Sequence, residues 1–113
     1  MSVAILGHND FGADDHSEEF EYMPVSTEHK FKALWEPTIA QLGITRLANG
    51  VYLKREELPE ILDDFRRIKE VVMKDPSIDE RDKVYMENRI NWMIDELPAR
   101  WQKCPNAKTL WLG

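Results

Sequence analysis

Cysteine is almost missing from this chain. Cys104 stands alone among 113 residues, which excludes an internal disulfide and points to a reducing compartment. No apolar run approaches the roughly 20 residues that a membrane-spanning helix needs. The opening MSVAILGHND carries no basic residue ahead of its short apolar run, so no secretory signal is expected. The five glycines are scattered and form no phosphate-cradling loop. The spacings CxxC, HExxH and GxSxG do not occur. Arg66, Arg67, Lys69, Arg81 and Lys83 are interleaved with acids, so no basic stripe is left to follow a nucleic-acid backbone. These absences disfavour disulfide scaffolds, membrane spans, nucleic-acid binders and the common motif-bearing enzymes.

What is present describes a globular chain. Hydrophobic residues make up 42% and charged residues 32%, enough of the first to build a core rather than a disordered segment. The length suits a single domain over residues 1–113. The net charge is −6, and its placement says more than its size. Residues 1–30 hold seven acids and one base, whereas residues 31–113 hold fourteen of each. The whole excess therefore sits in the first quarter of the chain. A localised acidic field repels nucleic acid and anionic membrane and attracts a basic partner or a cation.

That quarter contains GHNDFGADDHSEEFEY, residues 7–22. His8, Asp10, Asp15 and His16 are ligand types suited to zinc or another divalent metal. All of them lie on one glycine-containing loop, without a rigid element or an outer shell to orient them. No metal and no cofactor is expected. The adjacent acids Asp14, Asp15, Glu18, Glu19 and Glu21 read better as a solvated, partner-facing surface than as acid–base machinery. Neighbours in sequence point apart on a strand or helix, and a working carboxyl needs burial or a close like charge.

Periodicity supplies the scaffold. Val3–Leu6 reads as a strand. Phe20, Tyr22 and Pro24 alternate with polar positions and predict a second strand with one aromatic face, ending near Pro24. Ser26 or Thr27 can cap a helix whose apolar positions are Phe31, Leu34, Trp35, Thr38, Ile39 and Leu42. Pro37 should kink or divide that helix, and Gly43 should end it. Asn49-Gly50 predicts a two-residue hairpin turn pairing Ala48 with Val51 and Leu47 with Tyr52.

A second helix carries Leu58, Ile61, Leu62, Phe65, Ile68, Val72 and Met73 on one stripe, with Asp63, Asp64, Arg66, Arg67, Lys69 and Glu70 largely opposite. Ser77 to Glu80, "SIDE", fits a capping box ahead of a third helix with Met86, Ile90, Met93, Ile94, Leu97 and Trp101 inward. The tail TLWLG can add a strand or cover the core. The expected class is α+β: a small, mainly antiparallel sheet with three main helices packed on one face, in the order β-β-α-β-β-α-α. The alternative is a mainly helical domain with one hairpin.

Trp92 falls beside the core stripe, near Tyr85 and Arg89. Those three residue types are frequent interface anchors, so Tyr85, Arg89 and Trp92 form a second candidate contact set.

The segment LANGVYLKREELPEILDDFRRIKEVV, with FKALWEPTIAQLG upstream, resembles the small immunity proteins of bacterial polymorphic toxin systems over roughly residues 31–73. The resemblance implies a small, acidic, cytoplasmic bacterial protein that binds and neutralises one toxin domain without catalysis. It carries no binding residues across. Toxin nucleases present basic clefts because they hold phosphate backbones, and an acidic inhibitor suits such a cleft. The expected partner is a cognate toxin domain with a basic surface. Two readings of other classes compete with it: a small metal-dependent enzyme using His8, Asp10, Asp15 and His16, and an adaptor or regulatory subunit binding through the Trp92 face or the tail. Nothing in the sequence speaks to oligomeric state.

Overall fold

The computed structural model describes residues 2–8 and 19–113. Four strands, β1 (Ser2–Leu6), β2 (Met23–Thr27), β3 (Val51–Lys54) and β4 (Thr109–Leu112), form one antiparallel sheet in the order β2-β1-β4-β3. Three helical units complete an α+β fold, as expected. The first runs through α1 (Glu28–Lys30), a π-helical turn (Phe31–Trp35) and α2 (Glu36–Leu42). The other two are α3 (Leu58–Lys74) and α4 (Glu80–Gln102). Val3, Ile5, Val25, Leu53, Leu110 and Leu112 of the sheet meet Ile61, Phe65, Ile68, Ile90, Met93, Leu97 and Trp101 of the helices in one buried cluster.

The fourth strand is not the one the Asn49-Gly50 turn predicts. Residues 44–48 form no strand, and β3 pairs with the C-terminal tail: Val51 with Leu112, Tyr52 with Trp111, Leu53 with Leu110. A tight hairpin turn of this type needs positive φ at both central residues. Gly50 has φ 103°, but no described non-glycine residue has positive φ. Leu47 instead inserts into the core at 1% exposure. The tail is worth more as a strand, because β4 completes both β1 and β3 while burying Leu110 and Leu112. The observed order is therefore β-β-α-β-α-α-β.

The second strand starts where it was expected to stop. β2 begins at Met23, and Pro24 lies inside it, exposed. Tyr22 is outside the strand and 53% exposed, so the alternation of Phe20, Tyr22 and Pro24 does not mark one buried face. β2 is an edge strand, where a missing N–H is tolerated. Its register slips by one residue opposite Val3 and Ala4. Such a bulge turns two successive residues to one side, and Val25 and Ser26 are both buried.

The first helical unit runs on through Pro37, and its regular hydrogen bonding is interrupted just ahead of that residue. The π turn precedes it, and the Glu36 N–H reaches back to the Phe31 carbonyl. A π turn inserts one extra residue into the helix, which relieves the clash a proline makes with the preceding turn. Thr27 supplies the N-cap, accepting from the Lys30 N–H at 3.2 Å. Gly43 closes α2 in the left-handed conformation at φ 66°.

The capping box at Ser77 does not form. Asp75 Oδ1 accepts both the Ser77 hydroxyl at 2.7 Å and the Ser77 N–H at 2.9 Å. Those bonds hold the Asp75 carboxyl below its usual pKa. Asp79 becomes the N-cap of α4, accepting from the Asp82 N–H at 2.9 Å. Asp64 also departs from expectation. It points inward, 2% exposed, with Oδ2 at 3.1 Å from Arg46 Nη1 and Oδ1 at 3.5 Å from Arg67 Nη1.

Arg55 secures the far end of α4. Its Nη1 lies 3.1 Å from each of the carbonyl oxygens of Trp101, Cys104 and Ala107. These carbonyls lie at the C-terminal end of the helix and in the turn beyond, where positive charge is favoured, and each accepts a second donor as well: the Cys104 N–H, the Ala107 N–H and the Trp101 indole N–H respectively. Replacing Arg55 by alanine should destabilise the domain by about 2 kcal/mol, the worth of a charge-assisted bond whose acceptors are then left half-buried. Urea unfolding of the variant checks this.

Candidate interaction surface

One side of α4 carries a second stripe beside its core stripe: Tyr85, Arg89, Trp92, Glu96 and Arg100. Their three- and four-residue spacing places them in line on one helix face. The stripe runs along β2 and the residues leading into it. Arg89 Nη1 donates to the Pro24 carbonyl at 3.5 Å, and Arg100 Nη1 donates to the Tyr22 carbonyl at 2.8 Å. Trp92 sits between the two arginines, with guanidinium carbons 5.1 Å and 5.3 Å from its ring. Cations this close to an indole face are held by its quadrupole and keep the ring's orientation.

The sequence-derived contact residues separate into three groups. Tyr85 is half-buried and fastened: its hydroxyl is 3.5 Å from Ser26 Oγ, and Lys30 Nζ lies 4.4 Å above its ring. Lys30 is in turn paired with Asp82 at 3.3 Å. Tyr85 thus joins α4 to the start of the first helical unit, a scaffold role more than a contact role. Arg89 and Trp92 are half-buried and face the rim of the sheet. Glu19 and Glu21 are exposed. Asp14, Asp15 and Glu18 lie outside the described residues.

Glu21 of the first set and Trp92 of the second, far apart in sequence, meet at Arg100. Its Nη1 is 3.8 Å from Glu21 Oε1, its Nε is 3.8 Å from Glu96 Oε2, and its guanidinium covers Trp92. Glu21 therefore shares Arg100 with Trp92. Sequence reasoning passed over Arg100, Glu96 and Lys30. The Glu96–Arg100 spacing of four residues was the one available signal, and nothing local marked its connection to Glu21.

The histidine candidates fare differently. His8 Nε2 lies 2.9 Å from Thr109 Oγ1, and its ring packs edge-on against Tyr52 at 5.0 Å. Tyr52 packs in the same way on Trp111 at 4.9 Å. His8 thus belongs to a ring cluster on the outer side of the sheet. Asp10, Asp15 and His16 lie outside the described residues. Among the described residues no three His, Cys, Asp or Glu side chains come together as a metal cluster.

Cys104 is buried behind the Arg55 node. Burial pushes its thiol pKa above the usual 9.0, with Arg55 opposing the shift and Glu19 adding to it. The neutral thiol is thus favoured by the fold. Its contribution to stability is full below pH 9.0 and is lost as pH rises through the higher folded value. Alkylation at pH 8 should be at least about tenfold slower in the native protein than in urea, because the attacking species is the thiolate and burial blocks access to it. Mass spectrometry of timed quenches reads this directly.

A groove of about 530 Å³ beside the node is lined by Lys54, Arg55, Glu56, Lys108 and Thr109. The guanidinium of Arg55 is already committed to main-chain carbonyls there. Among the described residues no helix is long and apolar enough to cross a membrane. Comparison with family models, curated proteins and solved structures gives no match.

Proposed function

We propose that this chain is a non-catalytic, stoichiometric inhibitor of the immunity-protein type, acting in the bacterial cytoplasm. It binds a cognate toxin domain with a basic surface and neutralises it. The observation that carries the reading is the segregation of charge, with the whole −6 excess in residues 1–30 and none in residues 31–113. The position of Glu21, exposed and joined through Arg100 to Trp92, supports it. A basic partner drawn to Glu21 would meet an aromatic and arginine anchor beside it, the combination that concentrates binding energy at protein contacts.

The test is co-expression with the product of the adjacent gene. A stable one-to-one complex that protects cells from that product is the expected result. No complex, and no protection, would overturn the reading. A regulatory subunit would instead co-purify with an enzyme and change its activity without protecting cells. Stabilisation of the purified chain by zinc or manganese would favour the metal-dependent alternative built on His8, Asp10, Asp15 and His16.

A further inference from the structure

We infer that Arg89 and Arg100 of α4 act with Pro24 as a guard on the open edge of the sheet, preventing a second copy of this chain from adding to β2. The main-chain geometry carries the argument. Ala4 exchanges both of its hydrogen bonds with Gly113, N–H to carbonyl in each direction at 3.0 Å. It therefore spends its main-chain groups toward β4 and none toward β2. Pro24 is the residue opposite Ala4. In an antiparallel ladder the partner of such a residue turns its own main chain outward. Tyr22, just ahead of the strand, offers its carbonyl to the same helix.

An outward row of this kind is a template for another strand. Here it is closed at three points. Pro24 has no N–H to offer. Its carbonyl takes Arg89 at 3.5 Å, and the Tyr22 carbonyl takes Arg100 at 2.8 Å. Arg100 is well placed for the task, since its side chain is only 16% exposed and is held by Glu96 and Trp92 as well. Among the described residues, the main-chain donor left on this stretch is the N–H of Tyr22. An incoming strand must displace two charge-assisted bonds and finds one donor in return.

The test compares the wild-type chain with Arg89→Gln, Arg100→Gln and the double variant by sedimentation velocity across a concentration series. The double variant should self-associate about tenfold more strongly than wild type, the factor that corresponds to one net hydrogen bond regained per edge. In the associated form the Tyr22 amide should gain protection from hydrogen exchange. Adding Tyr22→Pro, which removes that last donor, should return association to the wild-type level. Persistence of association after this change would assign it to the uncovered Trp92 ring and overturn the inference. A folded double variant that associates no more than wild type would also overturn it. If the double variant does not fold, the single variants decide: each should show part of the increase, and no increase in either overturns the inference.

Discussion

Replacing Asp64 with alanine is expected to cost about 3 kcal/mol of stability, a large share of the roughly 5–15 kcal/mol by which a domain is stable. Asp64 is 3% exposed in its side chain and is bound by two arginines from different parts of the chain. Arg46 comes from the irregular segment after Gly43 and also approaches Glu57 at 3.7 Å. Arg67 comes from α3 and additionally donates to the Leu42 carbonyl at 3.4 Å. The Asp64 hydrogen bond is the main reason the Arg46 pKa is raised above its ordinary value. Removing the carboxylate leaves Arg46 without its closest anion and loosens the segment that inserts Leu47 into the core.

Both arginines keep access to water, which is why the expected cost lies at the lower end for a broken buried pair. Asparagine retains a neutral acceptor and should lose less than alanine. The exposed Glu70–Lys74 pair, at 2.8 Å and more than half exposed on both sides, serves as the control. Removing it should change stability little, because water screens it. Urea unfolding at neutral pH gives all three values. A loss below about 1 kcal/mol for Asp64→Ala would mean that the segment is held by Leu47 alone rather than by the ion pairs.

The second large effect concerns the acidic segment. Changing Asp14, Asp15, Glu18, Glu19 and Glu21 together to their amides should slow association with the proposed toxin partner by about 10- to 100-fold at low ionic strength. It should also flatten the dependence of that rate on salt, since the steering field is what salt screens. Dissociation should change less. Trp92→Ala should show the opposite pattern, a faster dissociation with nearly unchanged association, because a desolvated aromatic anchor acts after encounter. Stopped-flow mixing across a salt series separates the two. An unchanged association rate and salt slope in the five-fold amide variant would remove electrostatic steering from the proposal.

Much of the architecture was legible in the linear pattern. The stripes of α3 and α4 follow from spacing alone: Ile61, Phe65, Ile68 and Val72 on one, and Met86, Ile90, Met93, Leu97 and Trp101 on the other, all at 1% exposure or less. Thr27, Gly43 and Pro59 mark helix ends through a local hydroxyl cap or through their own backbone chemistry, neither of which needs a distant partner. The site was legible only in pieces. Trp92, Arg89 and the acids were visible as residue types, but their meeting through Arg100 was not.

The errors share one physical origin. The Asn49-Gly50 turn, the Ser77 capping box and the outward place of Asp64 were judged from a few neighbouring residues. In each case another partner offered more, a distant one for the turn and for Asp64, and a nearer one, Asp75, for Ser77. The tail strand took the ladder of β3, Asp75 took the Ser77 hydroxyl, and Arg46 took Asp64 inward. Local propensities are worth about 1 kcal/mol or less, so a buried strand or a charge-assisted bond outweighs them. By itself the sequence determined the α+β class, the core faces of the long helices and the acidic bias of the first quarter, because these depend on period and composition. Which strand neighbours which, which acid is buried, and that Glu21 meets Arg100 were decided only by the tertiary structure, because each rests on a contact between residues that the chain itself holds far apart.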